Sequence, residues 1–309
     1  MRALVTGSLG FVGKYLCTEL EQHGYKVIGL DIQPGDRTLQ ADLMDAEQIR
    51  QILTEQRPNT IFHLAAQADV GKSWKIPQLT MQMNIVAPLN LMEAVRAVDV
   101  KGIRMVIVGS SDQYGNLGEA GVNVTEDMEL KPQTPYAISK LAQEEMAKLY
   151  VCTYGMNILM TRSFNHGGAG QRTGFMIPDF ASGIVKIERG EASELKVGNL
   201  TSRRDFTHVR DVVRAYRLIA ELGRPGEVYN VGSGMTYSGQ EILDKLRDMA
   251  KCEVPVIQDP ARMRPSDTPV ICCNHSKLTK DTGWTPRIEM GTLLTDVMEE
   301  WRTKESCPQ

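Results

Sequence analysis

Ala3-Leu4-Val5-Thr6-Gly7-Ser8-Leu9-Gly10-Phe11-Val12-Gly13 decides the fold. Three glycines spaced GxxGxxG follow a short apolar run, and after them Val12, Leu16 and Leu20 recur at helical spacing until Gly24. A strand, a glycine turn and a helix in that order form the phosphate-binding corner of a dinucleotide-binding βαβ unit. A side chain at Gly7 or Gly10 would block the turn or the pyrophosphate. A minimal residue at Gly13 lets the helix pack closely on the sheet. The helix N-terminus then offers backbone N–H groups and partial positive charge to the phosphates.

Val27-Ile28-Gly29-Leu30 reads as the second strand and ends at Asp31, eighteen residues beyond Gly13. An acid there can bond both ribose hydroxyls and would repel a 2′-phosphate, which favours NAD(H). Arg37 lies near enough in sequence to keep NADP(H) open. Asp42 is a candidate acceptor for the adenine amine.

The alternation continues. Asp45 caps a helix carrying Ile49, Ile52 and Leu53, which ends before Pro58. Segments 61–64, 103–108 and 158–160 are strand-like, and helices are expected over 79–98 and 136–150. This pattern predicts an α/β fold, a doubly wound parallel sheet of the Rossmann type. After about residue 165 glycine and proline become frequent and the pattern degrades. The expected organisation is a dinucleotide-binding domain over 1–164, with returns near 204–214 and 227–232. A smaller, interwoven substrate-binding lobe is expected over 165–309.

Tyr136 and Lys140 stand at i,i+4 and share one helix face. They open a helix behind Pro135, downstream of Ser110, which follows the strand over 103–108. That carboxyl edge is where open α/β sheets bind ligands. The expected division of labour has Tyr136 exchanging a proton, Ser110 bonding the substrate oxygen, and Lys140 holding the nicotinamide ribose. A nearby ammonium and an oxidised nicotinamide are expected to lower the phenol from its usual value near 10.

The bulk properties narrow the field. With 309 residues the chain can bury a sizeable core. A formal charge of −3 carries no general basic footprint, so no nucleic-acid partner is expected. Six cysteines without a CxxC pair read as reduced thiols, and no metal site is expected. No apolar run approaches the roughly 20 residues that span a bilayer. Met1 leads straight into a strand, leaving no room for a signal peptide, so a cytoplasmic protein that does not engage membranes is expected.

Together these residues resemble the extended short-chain dehydrogenase/reductase family over nearly the whole chain. Further matches are His63-Leu64-Ala65-Ala66-Gln67, Asn84, Tyr114-Gly115, Arg204-Asp205-Phe206 and Tyr229-Asn230-Val231-Gly232. The resemblance implies cofactor contacts from Phe11, Val12, Leu43, Leu64, Ala65 and Ala66 besides the glycines, Asp31, Asp42, Tyr136 and Lys140. It also implies a homodimer joined through a four-helix bundle.

Within the family, Arg162-Ser163-Phe164-Asn165-His166 and the stretch 198–205 resemble the GDP-mannose branch. That likeness implies a GDP-sugar substrate, with Asn165 contacting it, Asn199 near guanine, and Arg204 and Arg264 on the diphosphate. Ser111 and Asp112 would line the sugar. The 4,6-dehydratases of the branch carry glutamate two residues after the catalytic Ser/Thr, where this chain has Asp112. Losing one methylene pulls the carboxylate back by about 1.5 Å, against a general-base reach of about 2.6–3.2 Å. Asp112 instead resembles the branch's 4-keto reductases. The expected reaction is therefore NAD(P)H-dependent reduction of GDP-4-keto-6-deoxy-D-mannose to GDP-D-rhamnose. A GDP-mannose 4,6-dehydratase is the alternative, followed by a 4-epimerase using the same triad. The retained Tyr136 and Lys140 argue against a non-catalytic dinucleotide sensor.

Overall fold

A computed structural model describes residues 1–99, 102–117, 123–262 and 269–304. In the first half β1 (Arg2–Thr6), α1 (Phe11–Gln22), β2 (Lys26–Asp31), β3 (Thr38–Gln40), α2 (Ala46–Gln56) and β4 (Thr60–His63) follow one another. Next come α3 (Val70–Lys75), α4 (Pro77–Met81), α5 (Ala87–Asp99), β5 (Arg104–Ser110), α6 (Pro135–Tyr154) and β6 (Asn157–Ser163). The second half holds β7 (Asn165–Gly167), α7 (Met176–Glu188), β8 (Leu195–Val197), β9 (Arg203–His208), α8 (Val209–Leu222), β10 (Val228–Val231) and β11 (Thr236–Ser238). It closes with α9 (Gly239–Asp248), β12 (Val256–Gln258), β13 (Val270–Ile271), α10 (Ser276–Thr282) and α11 (Met290–Thr303).

The large sheet has seven strands in the order β10-β6-β5-β4-β1-β2-β3. Every neighbouring pair is parallel. Parallel strands need both faces covered, and the period-2 alternation of side chains supplies two apolar faces. Leu4, Ile28, Leu30, Met105, Ile107 and Ile158 point to the side of α2, α5 and α6. Ala3, Val5, Phe62, Val106 and Leu159 meet Leu16 and Leu20 of α1 and Val212, Tyr216 and Ile219 of α8. Rossmann-like α/β architecture is thus observed. The strand order reverses between β1 and β4, and such a switch point leaves a crevice at the carboxyl ends of the strands.

The expected strands and helices differ from the observed ones in instructive ways. The helix expected over 79–98 starts earlier, as α4, and passes through a π turn over Gln82–Val86 into α5, with the short α3 ahead of it. Asp69 caps α3 through the Lys72 N–H, and Pro77 opens α4. Helix α6 extends beyond 136–150: Thr134 caps it by accepting from the Ala137 N–H at 3.0 Å, and Gly155 in the left-handed region ends it. Strand β3 escaped the pattern because three residues are too few to show alternation.

Segment 204–214 divides between two layers. Strand β9 lies in a separate four-stranded sheet with β7, β11 and β13, while α8 covers the large sheet. Strand β10 joins β6 in the large sheet. A third apolar cluster fills the second lobe between α7, β8, α9 and α11, around Phe180, Ile184, Leu195, Leu246 and Val297.

Candidate active site

The glycine turn is built as a cradle. Gly7 has φ +70, and a Cβ there would lie 2.9 Å from the Ala65 amide nitrogen. A Cβ on Gly13 would lie 2.1 Å from the Gly7 carbonyl oxygen, so α1 crosses its own entry loop too closely for any side chain. Gly10 is different: a Cβ there would meet only the Gly7 carbonyl oxygen, at 3.1 Å. Gly10 is also the N-cap of α1, where no side chain caps the helix. Phe11 and Val12 form its first turn, and its free N–H groups are the donors a pyrophosphate requires.

Asp31 ends β2 with its carboxylate turned to this loop, accepting from Leu9 N–H at 3.1 Å and from Gln33 N–H at 3.2 Å. The chain then returns, with Ala41 N–H donating to the Asp31 carbonyl at 2.9 Å. Asp42 is exposed and accepts from Met44 N–H, while Leu43 is buried beneath it. Leu64, Ala65 and Ala66 follow β4 at the same edge, and Ala65 N–H donates to Thr6 Oγ1 at 3.3 Å. These groups fit a dinucleotide: two glycines leave room, the helix end is uncapped, and an acid ends β2 beside the loop.

Ser110 ends β5 and caps the short 3₁₀ turn over Ser111–Tyr114, its hydroxyl accepting from Asp112 N–H at 3.2 Å. Tyr136 and Lys140 lie buried on the first turns of α6. Burial and the Asp112 carboxylate push the Tyr136 phenol above its usual value, and a hydrogen bond with Ser110 pulls it partly back. The structure therefore brings Ser110, Asp112 and Tyr136 together. It also corrects an expectation: among the protein's own groups, Lys140 does not depress this phenol. The Lys140 ammonium instead donates to the Val108 carbonyl at 2.8 Å and to Gln143 Oε1 at 3.0 Å. Burial lowers it to about 7. His63, buried and near enough to feel Lys140, falls to about 3 and stays neutral.

Several residues quoted only as motif matches make contacts that the sequence reading did not assign. Asn84, in the π turn, accepts from Gln67 N–H at 2.8 Å and donates to the Gln67 carbonyl and to Ser139 Oγ. Ser139 in turn donates to the Tyr136 carbonyl at 2.7 Å. Asp205 was visible only as part of a motif. It is buried and accepts from Ser233 N–H and Oγ–H, Gly234 N–H and Cys273 N–H at 2.7–3.0 Å, joining three segments. No local spacing could have revealed those partners.

The residues expected on the substrate side lie in the second lobe, except Ser111 and Asp112 in the turn after β5. Asn165 is exposed on β7, which pairs with β9, the strand carrying Arg204. Arg204 Nη1 donates to the Arg203 carbonyl at 2.9 Å. Asn199 Oδ1 accepts from Thr201 N–H and Oγ1–H, both at 2.9 Å. Ser111 is buried beside Asp112. Arg264 lies outside the described residues. Among the described residues no cluster of His, Cys, Asp or Glu could hold a metal ion, and no helix is long and apolar enough to cross a membrane.

Known proteins share this framework. A family model described as GDP-mannose 4,6 dehydratase matches residues 4–297. A GDP-6-deoxy-D-mannose reductase of Pseudomonas aeruginosa is 34% identical over 98% of both chains. A structure of RMD from the same organism, complexed with NADPH, superposes with a TM-score of 0.89 at 32% identity, covering 98% of this chain and 99% of that one. A GDP-mannose 4,6-dehydratase of Vibrio cholerae is 26% identical over 97% of this chain and 93% of its own. The chain is thus an NAD(P)-dependent enzyme of the oxidoreductase type, and it belongs to the GDP-mannose 4,6-dehydratase family.

Proposed function

We propose that this enzyme reduces the 4-keto group of GDP-4-keto-6-deoxy-D-mannose to give GDP-D-rhamnose. The observation that carries the reading is the meeting of Tyr136 with Ser110 and Asp112: the phenol, raised by burial and then by the Asp112 carboxylate, keeps its proton beside the Ser110 hydroxyl. Nicotinamide chemistry, when the cofactor is bound, supplies the hydride. The chain supplies the rest. Ser110 orients the ketone oxygen, Tyr136 protonates it as negative charge develops, and Lys140 holds the nicotinamide ribose. Asn165 would contact the sugar nucleotide, Asn199 the guanine, and Arg204 and Arg264 the diphosphate. On this reading residues 1–164 form the cofactor domain, and 165–309 contribute mainly to the sugar nucleotide. The 34% identity to the Pseudomonas reductase along nearly the entire chain supports the same choice.

One observation favours a second reading, the 4,6-dehydratase. Asp112 keeps a carboxylate close enough to Tyr136 to raise it, so an acid does face the reacting centre. Nicotinamide absorbance separates the two. Stoichiometric loss of NADH or NADPH with the keto sugar supports the reductase. Conversion of GDP-mannose to the keto sugar without net cofactor change overturns it.

A homodimer is part of the proposal. Leu79, Val86, Ile138 and Leu149 are exposed on α4, the π turn and α6. Beside them an apolar groove is lined by Ile85, Ala142, Met146, Leu149 and Cys152. A second copy would cover this surface by packing helix against helix. Sedimentation of the full chain checks it, and a monomer at micromolar concentration would reject it.

A further inference from the structure

Behind Ser110 and Tyr136 lies a buried ion pair to which the family likeness assigned no task. Glu144 stands four residues after Lys140 and eight after Tyr136, on the same stripe of α6. It is 2% exposed. Its carboxylate accepts from Arg162 Nε at 2.9 Å and from Nη2 at 2.7 Å, a two-pronged contact with β6. Lys148 adds an ion pair at 2.7 Å. Arg162 is the register partner of Gly109 on β5, one residue before Ser110.

From this pair two arms reach the turn that carries Ser110 and Asp112. The first runs through Gln113, which is fully buried: Nε2 donates to Glu144 at 2.8 Å, and Oε1 accepts from the Ser110 N–H at 3.1 Å. The second runs through Tyr114, whose hydroxyl accepts from Arg162 Nη1 at 2.9 Å and donates to Asn230 Oδ1 at 2.8 Å. The last two side chains of the turn, Gln113 and Tyr114, thus point inward and are anchored. The catalytic half on α6 and the half on β5 meet through these bonds as well as through apolar contact.

We propose that the Glu144–Arg162 pair is a positioning pair that sets Ser110 against Tyr136. The proposal rests on the roles given to those two residues above. A charged pair this deep adds little net stability over apolar residues of similar volume, but losing one partner is costly. Its directional bonds fix geometry, and displacement of about 1 Å at a reacting centre can cost about 100-fold in rate.

The test is a double-mutant cycle in the full chain between Glu144→Gln and Ser110→Ala. Folded Glu144→Gln should lose about 10-fold or more in kcat while KM for the keto sugar stays within about 2-fold. In the Ser110→Ala background the same change should cost less than about 2-fold, because the group being positioned is already gone. Full multiplication of the two losses, or wild-type kcat in Glu144→Gln, overturns the proposal. Should Glu144→Gln fail to fold, Tyr114→Phe removes only the hydroxyl between Arg162 and Asn230. It should lower kcat in the same manner, and an unchanged kcat overturns the proposal. A wild type that turns over only GDP-mannose overturns the reductase reading, and the cycle is then run on that reaction. A wild type inert to both sugars removes the functional reading while leaving the pair testable by the ¹³Cζ NMR shift of Tyr136. Glu144→Gln should move that resonance in the direction Ser110→Ala does, and an unmoved resonance overturns the proposal.

Discussion

Asp112 lies close enough to Tyr136 for its carboxylate to add to the effect of burial, and together they raise the phenol and keep its proton in place. Replacing Asp112 by Asn removes that charge while keeping the shape. The phenol then falls, and because the donor must be protonated, the alkaline limb of kcat/KM should move to lower pH. A pH–rate profile of Asp112→Asn against wild type reads this directly. An alkaline limb at unchanged pH would assign it to another group.

Tyr136→Phe retains the buried ring and loses the proton. Turnover should fall by a factor of about 100 or more, while cofactor and GDP-sugar binding persist. Calorimetric titration beside steady-state kinetics separates the two, and near-normal turnover removes Tyr136 as donor.

Gly10 and Gly13 should behave in opposite ways. An alanine at Gly13 collides with the Gly7 carbonyl, so Gly13→Ala should destabilise the fold by about 1–3 kcal/mol. An alanine at Gly10 meets one atom at 3.1 Å, so Gly10→Ala should melt near wild type yet bind the dinucleotide at least about 10-fold more weakly. Thermal melts with and without cofactor distinguish these outcomes.

Lys140 links stability to pH. Burial lowers it from 10.5 to about 7 in the folded chain, so between those values the unfolded chain binds the extra proton. Stability must therefore rise with pH from about 7 to about 10.5, and the penalty for charging Lys140 is fully present below that window. Lys140→Met should flatten this slope in denaturant melts and lower turnover by about 100-fold. A slope identical to wild type would place the ammonium in water.

Asp31 should set the cofactor preference. Its carboxylate is held against the glycine loop by Leu9 and Gln33 N–H groups, where it would repel a 2′-phosphate. Wild type is expected to favour NADH, and Asp31→Ala should shift the ratio of kcat/KM toward NADPH by about 10-fold or more. A wild-type preference for NADPH would point to Arg37 instead.

How much of this was legible beforehand depended on distance along the chain. The glycine turn, Asp31 and the Tyr136–Lys140 spacing could be read because each works within one strand–helix unit or one helix face, where backbone geometry alone places the side chains. The distortion of the helix expected over 79–98 could not, because Asn84 turns back to Gln67, seventeen residues away, and holds a π turn that no apolar periodicity announces.

The amino-acid order by itself therefore determined the parallel sheet, the dinucleotide corner and the identity of the groups at its edge. Tertiary structure alone decided how those groups are held and charged. Lys140 is lowered because packing buries it against the Val108 carbonyl, and Tyr136 is raised because packing buries it and the turn after β5 brings Asp112 near it. Glu144 finds Arg162 eighteen residues away, and Tyr114 finds Asn230 across 116. Hydrogen bonds and desolvation act over a few ångströms, and separation in sequence sets no such limit until the chain has packed.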